Sequence, residues 1–226
     1  MDADVAATAS LFGDRTRAAF LLALSEADAL PLSDLAARAG VTPATASVHL
    51  SKLLEAGLVG DERHGRHRYF RLAGPPVAEA IEALAAIAPV APARSLRDAT
   101  VGEALRAGRT CYDHLAGRVG VELAAALERR RLLVPEGDRL VLTKRGKRDL
   151  AELGLDLAAV AAARRTFARR CLDWSERRYH VAGALGAALS DRLFALGWIE
   201  RHGSSRAVRV TAAGHRGLRA RFGLDL

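Results

Sequence analysis

The sequence predicts a mainly α-helical protein with small β-hairpins, divided into two domains. The charge is uneven, because residues 1–98 hold 10 basic and 12 acidic side chains whereas residues 99–226 hold 24 and 14. Prolines and small residues interrupt the chain between these parts, and the second part contains an internal repeat. We therefore expect an N-terminal domain at 1–90, a linker at 91–98 and a C-terminal domain at 99–226.

The composition limits the class of protein. Of the 226 residues, 50% are hydrophobic, which is enough for a packed core. The formal net charge of +8 and the pI near 10.4 indicate a polyanionic partner, and nucleic acid is the simplest one. Charged side chains interrupt every apolar run, the acidic N-terminus does not resemble a secretion signal, and two cysteines cannot form a disulfide framework. We therefore expect a cytoplasmic protein.

The first domain begins with three predicted helices. Apolar spacing predicts a helix over 11–24, and a short helix over 34–39 has Ser33 as a candidate N-cap. Gly40 ends this short helix, and Thr42 caps the next one, which runs to about residue 56 with proline in its first turn. Two short helices joined by a tight turn form a helix-turn-helix.

A β-hairpin is predicted directly after this motif. Strands at 58–59 and 69–72 enclose a polar segment centred on Gly65. Pro75 then begins another helix, which ends near Ile87. The N-terminal domain is therefore predicted to be a winged helix-turn-helix.

The second domain is predicted to contain two similar copies, at about 114–150 and 180–218. The segment HLAGRVG at 114–120 returns as HVAGALG at 180–186. Each copy is expected to form a helix, a hairpin and a helix capped by threonine, with one long helix at about 157–178 between them. We therefore expect a duplicated, winged-helix-like α domain.

Several motifs of the first domain occur together in a known family. They are GDRTR at 13–17, LA at 35–36, VT at 41–42, SVHLSKL at 47–53, GLV at 57–59, GR at 65–66 and Tyr69. With them, residues 5–90 resemble the ArsR/SmtB winged-helix repressors. The resemblance implies a homodimeric transcriptional repressor that leaves its DNA operator on binding an inducer, often a metal or metalloid ion.

The family's usual inducer sites are not carried over by this resemblance. The segment ALPLSD at 29–34 lacks the cysteines of the thiolate site, and AEAIEA at 78–83 has two glutamates but no histidine. Any effector of this protein must therefore bind elsewhere.

The candidate DNA contacts lie on the second helix of the motif and on the hairpin. Short polar side chains near a helix N-terminus approach base edges, and cations bind phosphates. A basic hairpin tip repels itself unless a polyanion neutralises it. The expected contacts are Thr42, Thr45, Ser47, His49 and Lys52 on the helix and Arg63, His64, Arg66, His67 and Arg68 on the hairpin.

A metal-binding or thiol-reactive sensor is the hypothesis for the second domain. Thiolate and imidazole ligands suit Zn, Cd, Ni or Cu, and two pairs of ligands complete a tetrahedral site. We expect one pair three residues apart on a single helix face. The candidate ligands are Cys111, His114, Cys171 and His180, with Asp173 and Glu176 as alternates.

Other interpretations stay open at this level. Buried cysteine often acts as a small apolar residue, and the equivalent histidines have a packing role as an alternative. The effector is alternatively a small organic ligand, or the protein binds DNA without any effector. A small-molecule- or metal-dependent enzyme built on the second half is a further alternative. A Cys–His hydrolytic dyad is disfavoured, because neither an orienting third group nor an oxyanion hole is evident in the sequence. We expect no catalytic residues.

Overall fold

The computed structural model describes residues 3–25, 27–65, 67–89, 96–202 and 205–226. The chain forms two compact units, Met1–Ile81 and Glu82–Leu226. The division falls inside a helix and earlier in the chain than expected. Of the expected linker, residues 91–95 lie outside the described ranges, and a helix begins at Leu96. No helix of the described ranges has both the length and the apolar character needed to cross a bilayer.

The N-terminal unit has the elements of a winged helix-turn-helix. Strand β3 lies between β1 and β2 in a three-stranded antiparallel sheet, and the helices enclose a core that includes Phe20, Leu50 and Phe70. The elements are α1 (Val5–Gly13), α2 (Arg15–Ser25), β1 (Leu30–Pro31), α3 (Leu32–Ala39), α4 (Pro43–Glu55), β2 (Val59–His64), β3 (His67–Leu72) and α5 (Pro75–Ile87).

Two predictions for the first helices were wrong. The helix expected over 11–24 is broken at Asp14, which is extended and accepts a hydrogen bond from the backbone N–H of Arg17 at 2.9 Å. This contact starts a new helix, because it satisfies an N–H group that the first turn leaves free. Ser33 is not a cap, since it lies inside α3, and Pro31 occupies the N-cap position.

The C-terminal unit contains one order of elements twice. Each half begins with a helix, which is followed by a β-hairpin, a second helix, a second hairpin and a threonine-capped helix. The first half has α6 (Leu96–Ala107), β4 (Arg109–Cys111), β5 (His114–Ala116), α7 (Gly117–Arg129), β6 (Leu133–Glu136), β7 (Arg139–Leu142) and α8 (Lys144–Leu153). The second has α9 (Leu157–Ala162), β8 (Arg169–Leu172), β9 (Tyr179–Ala182), α10 (Gly183–Ala195), β10 (Ile199–Arg201), β11 (Val208–Val210) and α11 (Ala212–Phe222).

The threonine caps occupy equivalent places in the two halves. The hydroxyls of Thr143 and Thr211 each accept a hydrogen bond from a glycine N–H three residues later, at 3.0 Å. Strands β6, β7, β8 and β9 form a four-stranded sheet, and β4–β5 and β10–β11 form separate antiparallel pairs. One apolar core contains side chains from both halves, including Leu127 and Leu193.

The long helix expected over 157–178 was also wrong. Helix α9 ends at Ala162, and Arg169–Leu172 forms strand β8. Alanine and arginine favour a helix, but propensity is weak and tertiary pairing overrides it. Here β8 pairs with β9 in an antiparallel register that aligns Cys171 with His180.

Candidate functional site

Helix α4 presents an exposed polar face. Thr42 caps its start by accepting a hydrogen bond from the N–H of Thr45 at 3.2 Å. Ala46, Leu50 and Leu53 are buried on the opposite side, as the spacing predicted, whereas Leu54 is only partly buried. The exposed side chains of α4 include Thr45, Ser47, Val48, Lys52 and Glu55.

His49 differs from the exposed position that we expected. Only 20% of its side chain is accessible, and its Nδ1 lies 3.3 Å from Oδ1 of Asp14. The backbone hydrogen bond from Arg17 lowers the pKa of Asp14, which keeps this carboxylate ionised. His49 therefore links α4 to the start of α2, and only a small part of its side chain is accessible to DNA or another partner.

The hairpin beside α4 is long and antiparallel. Val59 pairs with Leu72 and His64 with His67, and Gly65 at the tip has a φ of 60°. Arg63, His64 and His67 are exposed, whereas Arg66 lies outside the described residues. Strand β1, which the sequence did not reveal, fixes the base of the hairpin by pairing Leu30 with Phe70.

Acidic residues on the hairpin neutralise part of its charge. Arg68 donates to Oδ2 of Asp61 at 2.6 Å, and this hydrogen bond lowers the pKa of Asp61. His64 Nε2 lies 3.1 Å from a Glu62 carboxylate oxygen. The self-repulsion of the tip is therefore smaller than the basic residues alone suggested, because the carboxylates of Asp61 and Glu62 offset part of the positive charge.

The two cysteines and two histidines of the C-terminal unit form one buried cluster. All four side chains are at most 7% exposed, and one ligand atom from each lies within 4.8 Å of the others. Nε2 of His114 is 3.1 Å from Nε2 of His180. The structure therefore brings together the four residues proposed as ligands, which are Cys111, His114, Cys171 and His180.

The cluster is built from two hairpins, not from helices. Cys111 and His114 face each other across a two-residue turn between β4 and β5, where Tyr112 has a φ of 60°. Cys171 and His180 are paired between β8 and β9. The expected helix was wrong because a three-residue spacing also fits a tight hairpin, which places the two ends of a short segment side by side.

Glycines let each half approach the histidine of the other. A Cβ added to Gly120 of α7 would lie 2.4 Å from the Leu115 carbonyl and 3.7 Å from the Cβ of His180. A Cβ added to Gly186 of α10 would lie 2.4 Å from the Val181 carbonyl and 3.2 Å from the Cβ of His114. Only glycine permits the approach to the two carbonyls, and at Gly186 the His114 side chain is also closer than an ordinary contact.

Each histidine has an aspartate beside its second ring nitrogen. Nδ1 of His114 is 3.1 Å from Oδ1 of Asp113, which is paired with Arg165. Nδ1 of His180 is 3.6 Å from Oδ2 of Asp173 and forms no hydrogen bond. The two aspartates follow their cysteines by two positions, and this repeated Cys-x-Asp spacing was a sequence signal that we missed.

Asp173 is not available as a metal ligand, contrary to its place among the alternates. Its carboxylate accepts hydrogen bonds from the N–H groups of Gly117, Ser175 and Glu176 and from the Ser175 hydroxyl. Its Oδ2 also lies 3.1 Å from the guanidinium of Arg109. Glu176 is outside the cluster of ligand atoms found among the described residues.

Arg109 is a buried cation that sequence reasoning did not identify. It is 1% exposed, pairs with Glu82 at 3.0 Å as well as with Asp173, and lies over the ring of Trp174. Burial lowers the pKa of Arg109, but the charges of Glu82 and Asp173 more than compensate and leave that pKa raised. Burial raises the pKa of Asp173. The positive charge of Arg109 and the hydrogen bonds from Ser175 and Gly117 outweigh this effect and hold the pKa of Asp173 below its usual value.

Cys111 and His114 of the cluster are both protonated at neutral pH. The hydrogen bond with the Cys171 thiol, together with burial, raises the pKa of Cys111 to about 12. Burial lowers the pKa of His114, but hydrogen bonds with Asp113 and Cys111 outweigh it and raise the value to about 9. The Cys111 thiol is therefore a weak nucleophile at neutral pH, and a ligand that replaces its proton must bind it strongly.

Comparisons with known proteins give the family. Residues 12–60 match a model described as a helix-turn-helix domain. The uncharacterized HTH-type transcriptional regulator YdfF of Bacillus subtilis (strain 168) is 44% identical over 214 residues, which cover 95% of both chains.

Solved structures similar to this chain cover a smaller part of it. NolR from Sinorhizobium fredii is 26% identical, covers 38% of this chain and 85% of its own, and has a TM-score of 0.35. The cadmium metal-sensor CMTR from Mycobacterium tuberculosis is 30% identical, covers 40% and 94%, and has a TM-score of 0.33. The likeness to YdfF extends over nearly the whole of both chains. With its helix-turn-helix domain, the chain therefore belongs to the family of HTH-type transcriptional regulators.

Proposed function

We propose that the protein is a homodimeric, ArsR-like repressor that binds a DNA operator and leaves it when an effector binds the C-terminal unit. The observation that carries this proposal is the exposed polar face of α4 beside a basic hairpin. Helix α4 enters the major groove, and the hairpin of β2 and β3 contacts the adjacent backbone or minor groove.

The side chains of α4 fit the two kinds of contact that a recognition helix makes. Thr45 and Ser47 are short, polar and near the helix N-terminus, where they reach base edges. Val48 is 58% exposed, and an apolar side chain in that place contacts the methyl group of thymine. Lys52, one turn further on, binds phosphate.

On the hairpin, Arg63 is the described cation best placed for DNA. It is exposed near the tip, opposite Arg68 in the strand register. Arg68 is held by Asp61, so its contribution to phosphate binding is reduced. Arg63 therefore supplies more of the salt-dependent affinity than Arg68 does.

A second copy of the chain is the partner that fits the uncovered apolar residues of α1. None of its nine residues is fully buried, although Leu11 and Phe12 pack partly against the core of the unit. Val5 is 71% exposed. Burying such residues against a symmetry mate stabilises a dimer and presents two α4 helices to major grooves about 34–36 Å apart.

The C-terminal unit is the effector domain in this proposal, built from two winged-helix-like halves. Its Cys–His cluster suits a metal ion or a thiol-reactive species. A cleft of about 670 Å³ lined by Leu140, Lys147, Leu157 and Phe167 favours a second candidate, a small organic effector with an anionic group.

Selection of bound sequences from random DNA duplexes, followed by affinity measurements at several salt concentrations, tests DNA binding. Lys52→Ala and Arg63→Ala should each reduce the salt slope by about one unit, because each loses one phosphate contact. Lys144→Ala, which removes an exposed cation from the other unit, is the matched control. Equal slopes for the first two variants and wild type would contradict the proposed interface.

The assembly is tested separately by light scattering of the purified chain. The proposal predicts a dimer whose dissociation is promoted by Val5→Asp on α1. A monomer that binds a single half-site with full affinity would contradict the dimer without affecting the assignment of α4.

A further inference from the structure

We propose that Cys111, His114, Cys171 and His180 bind one zinc-group ion, zinc or cadmium, in a tetrahedral site closed to solvent. The regulatory part of this inference, in which the ion is the effector, rests on the function proposed above. The binding itself rests only on the cluster.

The donor atoms are close enough to one another to surround a single ion. Metal–nitrogen bonds of ~2.0–2.1 Å and metal–sulfur bonds of ~2.3 Å require edges of about 3.3 Å between nitrogens and about 3.8 Å between sulfurs. The two Nε2 atoms are 3.1 Å apart, and no pair in the set exceeds 4.8 Å. Side-chain rotations of roughly an ångström therefore complete the site.

The second ring nitrogens are prepared for metal binding at Nε2. A histidine that binds a metal usually donates its other N–H to a carboxylate, which fixes the tautomer and the ring orientation. Asp113 lies beside His114 and Asp173 beside His180, and each aspartate is itself paired with an arginine. Nδ1 of His180 is buried without a hydrogen bond, 3.6 Å from its aspartate, and a small ring movement joins them.

Packing alone does not account for this arrangement. The cysteines contact Ala116 and Ala182 in a small apolar cluster, where larger aliphatic side chains would fill space without buried polar atoms. A disulfide between the cysteines would leave the paired histidines and their aspartates unexplained. A metal ion uses all four donors and both carboxylates.

The charges and the donor types select the class of ion. Two thiolates and two neutral imidazoles around a divalent ion give a site with no net charge, which suits burial. Soft sulfur donors disfavour magnesium and calcium, which prefer oxygen ligands. The closed, four-donor arrangement is that of structural zinc sites and leaves no open position for substrate.

A series of close polar contacts connects the cluster to helix α5. Oδ2 of Asp173 faces both His180 and Arg109, and the guanidinium of Arg109 also pairs with Glu82. Glu82 lies on α5. When His180 binds an ion, its Nδ1–H donates to the Asp173 carboxylate that also pairs with Arg109. Ion binding therefore alters the contact of Arg109 with Glu82 on α5.

The test uses the full-length chain, reduced and freed of metal by a chelator. Titration with Co²⁺ should produce the intense visible bands of tetrahedral cobalt and a thiolate charge-transfer band, saturating at one ion per chain and displaced by Zn²⁺. Cd²⁺ should give its own thiolate absorption with the same stoichiometry. These two readings on the wild-type chain do not depend on any variant folding correctly.

Variants then assign the ligands. Cys111→Ser, Cys171→Ser and His180→Asn should each lower Zn²⁺ affinity by at least about 100-fold, while Asp173→Asn lowers it by about 10- to 100-fold as an outer partner. His215→Asn, which changes an exposed histidine of α11, is the control and should bind as wild type does. Reduced wild-type protein without cobalt–thiolate bands, or ligand variants with unchanged affinity, would overturn the site.

The regulatory part has its own outcome. With operator DNA, Zn²⁺ or Cd²⁺ should weaken wild-type binding at least tenfold and leave Cys171→Ser unaffected. Protein that binds the ion but shows no change in DNA affinity would overturn the effector role and leave the metal site standing. Failure to bind DNA at all would refute the proposed function and not the site.

Discussion

Replacing Arg109 by methionine should destabilise the C-terminal unit strongly. The guanidinium lies between the Glu82 and Asp173 carboxylates, whose side chains are 7% and 0% exposed. Methionine fills much of the same volume but leaves two buried negative charges without a cation. Removal of one partner from a buried ion pair costs about 3–5 kcal/mol, which is the expected loss of unfolding free energy here.

The same network predicts a smaller effect for Glu82→Gln. This change leaves one carboxylate for Arg109 and retains a hydrogen bond, so the cost is about 1.5 kcal/mol. Arg219→Met is the control, because its ion pair with Asp225 is 70% and 75% exposed and exposed pairs contribute at most about 1 kcal/mol.

Urea unfolding followed by tryptophan fluorescence measures these differences. Both tryptophans, Trp174 and Trp198, lie in the C-terminal unit, so the signal reports on that unit. With a slope of about 2 kcal/mol per molar urea, a loss of 4 kcal/mol lowers the midpoint by about 2 M. Midpoints for Arg109→Met and Arg219→Met that agree within error would refute the idea that this network stabilises the unit.

Three further predictions concern the two sites. Gly186→Ala should lower Co²⁺ affinity at least about tenfold, because the added Cβ meets the Val181 carbonyl and the His114 side chain. Gly102→Ala is the control and should leave the affinity unchanged, because there is open space around Gly102. Equal Co²⁺ affinities of the two variants would contradict the close approach at Gly186. Asp61→Asn should tighten duplex binding at low salt, because it frees Arg68 to contact phosphate, and should steepen the salt dependence of DNA affinity by about one unit. Fluorescence anisotropy measures this affinity at several salt concentrations, and an unchanged slope would argue against a DNA contact by Arg68. Because the pKa of Cys111 is raised to about 12, its thiol is protonated at neutral pH and ion binding must release that proton. His114, whose pKa is raised to about 9, must also release a proton to bind an ion below that pH. Apparent Zn²⁺ affinity should therefore rise with pH, by up to about 1000-fold per unit if both thiols and His114 lose protons, and uptake without proton release would exclude thiolate ligation.

The local signals in the N-terminal half were sufficient for most of its elements. The Thr42 cap, the buried spacing of Ala46, Leu50 and Leu53 and the turn at Gly65 predicted α4 and the hairpin. These features depend on contacts a few residues apart. The break at Asp14 was missed because a side-chain cap inside an otherwise continuous apolar pattern leaves the periodicity intact.

The Cys–His cluster shows a different limit of sequence reasoning. Its membership was predicted from residue types, but its geometry was not. A three-residue spacing fits a helix as well as a tight turn, and the two local hairpins that bear the cluster meet through a contact between positions 66 residues apart. Arg109 and Glu82 had no local signal, since their ion pair joins positions 27 residues apart. The repeated Cys-x-Asp segments at 111–113 and 171–173 did carry a signal. They lie just before the two copies and are out of register with them, so alignment of the copies does not match one aspartate with the other.

The reciprocal placement of Gly120 and Gly186 has a consequence for how such a centre can arise. Each half of the C-terminal unit provides one sulfur and one imidazole, and each half's helix supports the imidazole of the other. A lone half would offer only two donors and an unsupported ring. Two separate chains of this kind would have to meet about a twofold axis to hold an ion, and joining them in tandem removes the dependence of that encounter on protein concentration.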